Sequence, residues 1–352
     1  MTTKTNPGNF FEDFSLGQSI VHAVPRTVTD GDASLYTALY GNRFAVQSSR
    51  AFAESIGFSH SPIDDLLVFH IVFGKTVPDI SLNAVANLGY ADGRFGAPVF
   101  PGDSLKTVSE VIGLKENSNG KTGTVYVRST GTNQNGETVL DYVRWVMVRK
   151  RDPDTPAPDA VVPELPDAVP MQDLAVPGGL DLSGYDTDLA GSPHFWDDYE
   201  AGEKIDHVDA MTVEDADHMT ATRLYQNTAK VHFNQHTEKD GRFGQRIVYG
   251  GHVISLARAF SFNGLANAFK VAAINGGRHV APIFAGDTVY AWTEVLEKAE
   301  LPERSDLGAL RLRMIAAKDQ ACADFPDKDA DGKYDPSVVL DFDFTVLMPR
   351  RA

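Results

Sequence analysis

The residues from Gly93 to Asp103 read GRFGAPVFPGD, and those from Gly277 to Asp287 read GRHVAPIFAGD. The two stretches lie 184 positions apart, and they share a Gly-Arg pair followed by the pattern Ala-Pro-x-Phe-x-Gly-Asp. Similarity of a chain to itself at a fixed offset is typical of a duplicated structural unit. The sequence therefore predicts two copies of one fold, and this pair of stretches determines the architecture.

The same relationship continues on both sides of the pair. Three further matches are FEDF at Phe11 with WDDY at Trp196, LYGN at Leu39 with LYQN at Leu224, and VLDY at Val139 with VLDF at Val339. The first two have an offset of 185 and the last has an offset of 200, so the second copy contains about 15 extra residues. We place them within 318–336, where charged and turn-forming residues predict an exposed loop.

A segment rich in proline separates the copies. Seven prolines fall within residues 152–190, where they are mixed with Asp, Ala and Gly, and such a composition is typical of an extended linker. We therefore expect a first unit at 1–151, a linker at 152–190 and a second unit at 191–352.

Composition excludes several classes of protein. The chain has 352 residues, of which 42% are hydrophobic and 23% charged, so it is not disordered. Its 48 acidic and 32 basic residues give a net charge of −16, which disfavours nucleic acid and anionic lipid as partners. Apolar runs are too short for a membrane helix, the N-terminus does not resemble a secretion signal, and Cys322 is the single cysteine. These features favour a cytoplasmic protein.

Each copy is predicted to contain one buried helix and an antiparallel sheet. The stretches 63–77 and 250–262 are apolar on nearly every face, which indicates helices surrounded by protein. Strand-like segments rich in Val, Thr, Tyr and Trp follow each helix, at 104–112, 122–130, 138–148, 288–296, 310–316 and 338–347. The fold class is therefore α+β, and the two sheets are expected to pair side by side.

This order of elements, with Pro-x-Phe-x-Gly-Asp at a strand start in both copies, resembles the tandem (double) hotdog fold of the MaoC-like enoyl-CoA hydratases. Nearly the whole chain is most similar to the mesaconyl-CoA hydratases, also called 2-methylfumaryl-CoA hydratases or β-methylmalyl-CoA dehydratases, of the ethylmalonyl-CoA pathway. The segments that carry this resemblance are NPGNFF at Asn6, LLVFHIVFGK at Leu66, LYQNTA at Leu224 and IVYGGH at Ile247. The resemblance implies reversible addition of water to mesaconyl-CoA, which gives β-methylmalyl-CoA, with an acyl-CoA substrate and no metal or organic cofactor.

The resemblance also distinguishes the two copies. MaoC-like hydratases carry Asp-x-Asn-Pro-x-His on a segment that overhangs the buried helix, and a His-Gly pair at the start of that helix contributes to the oxyanion hole. Copy two has NTAKVH from Asn227 to His232, so its histidine has the family's spacing although Asn replaces Asp. Copy one has NRFAVQ from Asn42 to Gln47 and lacks the histidine. The second copy is thus expected to be catalytic, and the first to shape the acyl pocket.

Hydration of an enoyl thioester needs hydrogen-bond donors for the thioester oxygen and a group that activates water. Gly250 and Gly251 open the copy-two helix, where unpaired N–H groups and the positive end of the helix dipole point outward. A tight turn into the helix is the competing explanation for these glycines. His232 is the candidate general acid and base, with a structural histidine as the alternative. Asn227 is not a base, but its amide is suited to orienting water or the substrate carbonyl.

Four more residues were assigned to the substrate site, each with a structural alternative. Asp64 and Asp65 are candidates for the acid that copy two lacks, and capping of the copy-one helix competes with that role. Tyr249 and His252 flank the glycine pair and are candidate substrate contacts, with core packing as the alternative.

A mesaconyl group carries a free carboxylate, which requires a cation. Lys230, within the copy-two motif, and Arg43, in the matching segment of copy one, are the candidates. An exposed surface charge is the alternative for both.

No metal site is predicted. The run from Asp327 to Gly332 begins like a calcium loop, but Val338 stands where the twelfth position needs a bidentate Glu. Other functions remain open from the residues alone: an (R)-specific enoyl-CoA hydratase of other specificity, a hotdog thioesterase, or a non-catalytic acyl-CoA binder. The sequence also leaves open whether the chain forms a homo-oligomer.

Overall fold

The computed structural model describes residues 4–302 and 304–351. Its helices are α1 Asp30–Tyr40, α2 Ala45–Ser48, α3 Arg50–Ser55, α4 Asp65–Thr76, α5 Thr187–Ala190, α6 Asp215–Leu224, α7 Gln235–Glu238, α8 Gly250–Phe260 and α9 Phe262–Leu265. Its strands are β1 Ser19–Val21, β2 Arg26–Thr27, β3 Ala84–Phe95, β4 Ser104–Glu116, β5 Thr122–Thr132, β6 Thr138–Arg149, β7 Lys204–Thr212, β8 Lys270–His279, β9 Thr288–Leu301, β10 Arg304–Lys318 and β11 Val338–Pro349. Both predicted helices and all six predicted strands are present.

The strands form one 11-stranded sheet with antiparallel pairing. The order within copy one is β1-β4-β5-β6-β3, and the order within copy two, taken from the opposite edge, is β7-β9-β10-β11-β8. The halves therefore repeat the same topology, and they join where β3 pairs with β8 from Tyr90 opposite Gly277 to Arg94 opposite Ala273. The predicted pairing of the two sheets is confirmed, as is the double hotdog architecture.

The two strands at this junction were not predicted from the sequence. Both β3 and β8 are rich in Gly, Ala and Asn, residues that are depleted in strands. Their packing explains the small residues, because a Cβ atom on Gly93 would lie 2.9 Å from the Cβ of Ile274. Close approach of two backbones therefore overrides strand propensity at the centre of the sheet.

The helices α4 and α8 lie side by side and antiparallel beneath the sheet. Every residue of α4 from Leu66 onward is buried, and so is every residue of α8 from Gly251 onward. The Nε2 of His70 and the Oγ of Ser255 are hydrogen-bonded at 2.9 Å near the middle of both helices. The ring of Phe73, near the C-terminus of α4, lies 5.7 Å from that of Tyr249, which precedes α8. The start of α8 therefore lies against the end of α4, and both helices belong to one continuous hydrophobic core.

The linker and the extra residues of copy two both pack onto the units. Leu180 and Leu182 of the linker are buried in a cluster with Ile56 and Phe58. Most residues of the loop at 318–336 are exposed, as expected, but the loop is anchored to copy two, because the ring of Phe325 lies 5.4 Å from that of Trp292 and Cys322 is buried. Within the described residues, no helix has both the length and the apolar character that crossing a bilayer requires.

Candidate active site

His232 lies at the end of a short 3-10 turn, Lys230–His232, in the segment that follows α6. Its Nδ1 donates a hydrogen bond to the carbonyl oxygen of Ile247 at 2.9 Å, which fixes the tautomer of the neutral ring. Burial lowers the pKa of His232 to about 4, so the imidazole is neutral at physiological pH. Its Nε2 forms no hydrogen bond with another described residue, which leaves a lone pair available to accept a proton.

The N-terminus of α8 lies next to this histidine. The ring of Tyr249, the residue that precedes the helix, is 5.6 Å from the ring of His232. No side chain caps the helix at Tyr249. The N–H groups of Gly250 and Gly251 occupy the first two helical positions, where the backbone offers them no intrahelical partner. The predicted proton acceptor therefore contacts the residue that directly precedes the predicted donors.

The glycines at this helix start have a packing role. A Cβ atom on Gly250 would overlap the ring of His279, and one on Gly251 would overlap the rings of Tyr249 and His70. Glycine at these two positions therefore makes room for protein side chains. The direction of the two N–H groups is not affected.

Asn227 is buried and begins the segment that ends at His232. Its Oδ1 accepts a hydrogen bond from the backbone N–H of Ala229 at 3.0 Å, which orients the side chain. Its Nδ2 has no hydrogen-bond partner among the residues that the structure describes. The amide nitrogen is therefore a donor with a fixed direction and a free proton.

A cavity of about 610 Å³ opens beside Asn227, and both copies contribute to it. This volume is within the range of small-molecule sites. Copy one supplies Ala23, Val24, Gly74, Lys75 and Pro78, and copy two supplies Arg223, Gln226, Asn227, Thr228 and Phe233.

The equivalent position in copy one is occupied by the protein itself. Asp64 caps α4 by accepting a hydrogen bond from the N–H of Leu66 at 2.8 Å, and its other carboxylate oxygen accepts one from the Nδ2 of Asn42 at 2.8 Å. Burial and the neighbouring Asp65 raise the pKa of Asp64 to about 6. The adjacent space, lined by Gln47 and Asp65, measures only about 10 Å³. In copy one, the N–H equivalent to that of Gly251 is therefore already bonded to a carboxylate.

Asp64 and Asp65 are not the acid partner of His232. Both lie at the N-terminus of α4, whereas the cavity borders Gly74 and Lys75 at its C-terminus, and 11 helical residues span about 16 Å. Asp65 is instead held by the ammonium group of Lys270 at 2.8 Å and by the backbone N–H of Val271 at 2.9 Å. The capping alternative therefore describes Asp64 correctly, whereas Asp65 belongs to an ion pair with Lys270.

Arg43 is also remote from His232. Its guanidinium donates to Asp209 at 2.7 Å and lies 4.6 Å from the ring centroid of Phe262, just beyond the C-terminus of α8. The predicted donors are at the opposite end of that helix. The expectation that Arg43 binds the substrate carboxylate is therefore corrected, and its charge belongs to an exposed ion pair.

The three remaining candidates, His252, Tyr249 and Lys230, differ in burial and in the groups that they contact. His252 faces the core, where its Nδ1 is hydrogen-bonded to the hydroxyl of Tyr40 at 3.0 Å and burial lowers its pKa to about 3. Tyr249 is buried between His232 and Phe73, with ring centroids 5.6 and 5.7 Å away. Lys230 is exposed in the same turn as His232. Of the three, Tyr249 is the one whose ring contacts that of His232.

Sequence analysis missed Lys75, which lines the cavity from α4. Its Nζ donates to the side-chain oxygen of Gln226, and burial lowers its pKa to about 8, with the nearby Arg26 as the second cause. The signal was present in the sequence, because Lys75 is the one lysine, arginine, aspartate or glutamate in the mainly apolar run from Leu66 to Val77.

Residues that could bind a metal are not clustered. Among the described residues, no group of three or more His, Cys, Asp or Glu side chains is arranged to hold an ion. Asp327, the first residue of the calcium-like run, instead accepts two hydrogen bonds from Arg313, at 2.7 and 2.6 Å.

Comparison with known proteins identifies the family. The sequence profile described as mesaconyl-CoA hydratase matches residues 1–324. The chain belongs to the mesaconyl-CoA hydratase family. A beta-methylmalyl-CoA dehydratase of Chloroflexus aurantiacus is 68% identical over 351 residues, which is 100% of both chains. A mesaconyl-CoA hydratase of Cereibacter sphaeroides is 60% identical over 347 residues, covering 99% of this chain and 100% of the relative.

Solved structures related to this mesaconyl-CoA hydratase family member agree with its fold. A MaoC domain protein dehydratase from Chloroflexus aurantiacus superposes with a TM-score of 0.98 at 68% identity, and the match covers 100% of both chains. A Mycobacterium tuberculosis protein described as having a double hotdog fold gives a TM-score of 0.75 at 26% identity, over 98% of this chain and 99% of that one.

Proposed function

We propose that this chain reversibly adds water to mesaconyl-CoA to give β-methylmalyl-CoA, with copy two as the catalytic half. The observation that carries the proposal is the uncapped start of α8 beside a neutral histidine whose Nε2 is free. Its counterpart in copy one is closed by Asp64. The two family relatives named as a beta-methylmalyl-CoA dehydratase and a mesaconyl-CoA hydratase support the choice of substrate.

The proposed step begins with the neutral imidazole. The Nε2 of His232 removes a proton from water as the water oxygen bonds to the β-carbon of the enoyl thioester. The π electrons move to the thioester oxygen, which becomes an enolate. The imidazolium then returns its proton to the α-carbon, and the carbonyl re-forms. One water is consumed, and no electrons leave the substrate.

Hydrogen-bond donors stabilise the enolate in this scheme. The N–H groups of Gly250 and Gly251 point out of the helix start, where the helix dipole also favours negative charge. Asn227 supplies a third donor from Nδ2. Copy one supports this assignment, because there Asn42 and the N–H of Leu66 hold the carboxylate of Asp64 in the corresponding position.

Side chains and backbone amides supply every group that this reaction needs, so no metal or organic cofactor is part of the proposal. The CoA moiety enters as part of the substrate. The ethylmalonyl-CoA pathway and a cytoplasmic location, both implied by the family resemblance and by composition, belong to the same proposal.

Turnover of mesaconyl-CoA by the purified chain tests the function. We expect loss of the enoyl-thioester absorbance without release of free thiol, and formation of β-methylmalyl-CoA. Release of thiol would identify a thioesterase, and binding without turnover would identify an acyl-CoA binder. Hydration of monocarboxylic enoyl-CoA esters in preference to mesaconyl-CoA would identify an enoyl-CoA hydratase of other specificity. Each of these three results would overturn the proposal.

A further inference from the structure

Arg144, on β6, is a cation enclosed within copy one. It has no exposed surface, and its Cζ atom lies 4.2 Å from the ring centroid of Phe73. One terminal nitrogen donates to the Oγ1 of Thr76 at 2.7 Å and to the Oγ of Ser81 at 3.3 Å. The other terminal nitrogen and Nε form no hydrogen bond with a described residue. Two nitrogens of the guanidinium group therefore carry N–H donors without an acceptor among the described residues.

No carboxylate among the described residues neutralises this charge. Burial lowers the pKa of Arg144, and the neighbours that act on it electrostatically are the phenols of Tyr142, Tyr90 and Tyr249. The hydroxyl of Tyr142 is itself buried without a hydrogen bond. Because burying a charge without a partner is strongly unfavourable, such residues are usually paired with a counter-ion.

The duplication shows that the fold does not require a cation here. The offset of 200 that relates the last strands aligns Tyr142 with Phe342 and Arg144 with Phe344. Both phenylalanines are buried, and their rings stack with centroids 5.4 Å apart. An apolar residue thus fills the same position of the same strand in copy two. The charge of Arg144 needs another explanation.

Two ring contacts connect Arg144 to the candidate active site. The Phe73 ring beneath the guanidinium lies 5.7 Å from that of Tyr249, and the Tyr249 ring lies 5.6 Å from that of His232. In a mesaconyl group, the free carboxylate is bonded to the carbon that receives the hydroxyl. A residue that binds this carboxylate must therefore lie near the residue that activates water.

We propose that Arg144 binds the free carboxylate of the substrate and selects dicarboxylic over monocarboxylic enoyl-CoA esters. This inference rests on the proposed function. The substrate carboxylate is the missing counter-ion, and charge-assisted hydrogen bonds from the unpaired guanidinium groups hold it. The same contact reduces the repulsion that a carboxylate exerts on a nucleophile attacking the adjacent carbon.

Lys75 is the rival cation, because it lines the cavity and forms no ion pair with a described carboxylate. Arg144 is favoured for two reasons. The single nitrogen of Lys75 has an acceptor in Gln226, whereas two nitrogens of Arg144, Nε and Nη1, are buried with no acceptor among the described residues. The Phe73 ring on which Arg144 stacks also contacts Tyr249 directly.

The test compares kcat/KM for mesaconyl-CoA and for crotonyl-CoA, a monocarboxylic ester, in the wild type, Arg144→Met and Arg144→Phe. We expect both variants to lose about 100-fold or more with mesaconyl-CoA, while crotonyl-CoA turnover is unchanged or higher. The Arg144→Phe variant carries the same residue as Phe344, which occupies the equivalent position in copy two. Both variants should keep or raise Tm, because replacing an unpaired buried charge by an apolar side chain is often stabilising.

Lys75→Met tests the rival, and Lys270→Met is the matched control, since Lys270 is a buried lysine already paired with Asp65. The inference is overturned if the Arg144 variants keep the wild-type preference. It is also overturned if they lose both substrates equally with a lower Tm, or if Lys75→Met alone abolishes the preference. Should neither Arg144 variant fold, the arginine is structural and the inference is wrong. Failure of the proposed function is separate, since it would appear as absent mesaconyl-CoA hydration in the wild type.

Discussion

Asn42 and Asn227 occupy equivalent positions 185 residues apart, and each accepts a hydrogen bond from the backbone N–H two residues further along, at 3.1 and 3.0 Å. Among the residues that the structure describes, only Asn42 has an acceptor for its amide nitrogen, the carboxylate of Asp64. In copy one, the carboxylate of Asp64 thus occupies the site that stays open in copy two. The position of this carboxylate indicates where a substrate oxygen would bind beside Asn227.

The first prediction concerns the direction of the Asn227 hydrogen bond. Asn227→Asp keeps the acceptor for the N–H of Ala229 but removes the donor and adds negative charge beside the proposed enolate. We expect kcat to fall by at least about 100-fold, and Asn227→Ala to be impaired less. Steady-state kinetics of both variants measure the effect. An Asp variant as active as the wild type would show that position 227 does not act as a donor. Asn42→Ala, which removes the copy-one equivalent, should lower stability but not kcat per folded molecule.

His232→Ala should lower kcat by about 100-fold to 10,000-fold, because it removes the general acid and base. Thermal unfolding of the variant checks that the fold is intact. His236→Ala is the matched control, since His236 is exposed only four residues away and should behave as the wild type. Equal activity in the two variants would remove His232 from the mechanism.

The pH dependence of kcat/KM should reflect the low pKa of His232. The neutral imidazole is the active form, and burial lowers its pKa to about 4, so protonation inactivates the enzyme only near that pH. We expect a flat profile from about pH 5.5 to pH 8, without the inflection near 6.5 that an exposed histidine gives. A clear acidic limb centred near 6.5 would contradict the prediction.

Stability should also depend on pH through buried histidines. Burial lowers the pKa of five of them to about 3 or 4: His70, His207, His232, His252 and His279. The unfolded chain binds protons below about pH 6.5 and the folded chain does not, so stability is lost as pH falls below that value. Each histidine should contribute about 1 kcal/mol of this loss at pH 5.5.

Denaturant unfolding at pH 7.5 and 5.5 measures the difference. Asp64 acts in the opposite direction, because its raised pKa of about 6 favours the folded state as pH falls, but it is one group against five. Carboxylates with lowered pKa values titrate in the folded state below this range and add to the loss mainly at lower pH. A free energy of unfolding that is equal at the two pH values would show that these rings are more hydrated than the structure indicates.

Gly250→Ala should destabilise the protein by about 1 to 3 kcal/mol, because the added methyl group would overlap the ring of His279. The midpoint of thermal unfolding measures this cost. Gly178→Ala is the control, since a Cβ atom at that position meets nothing within 4 Å. A fully stable Gly250→Ala variant would show that His279 moves aside without cost.

Local patterns in the sequence were sufficient for much of the fold. The internal repeat predicted the duplication. Continuous apolar runs predicted the buried helices α4 and α8, because a helix that is buried on all sides needs no polar face. Enrichment in Val, Thr, Tyr and Trp predicted six strands. The two central strands were missed, since their glycines serve a contact between copies that no local pattern encodes.

The sequence by itself determined the double hotdog architecture, the family and the segment that carries His232, because these depend on residues close together in the chain. Only the tertiary structure decided which groups meet. It placed Asp64 at the far end of α4 from His232, moved Arg43 into a surface ion pair, and brought Lys75 to the cavity. It also left Arg144 without a counter-ion among the described residues. The antiparallel packing of α4 against α8 is the physical reason, since it brings the start of one helix to the end of the other, and residues about 180 positions apart become neighbours.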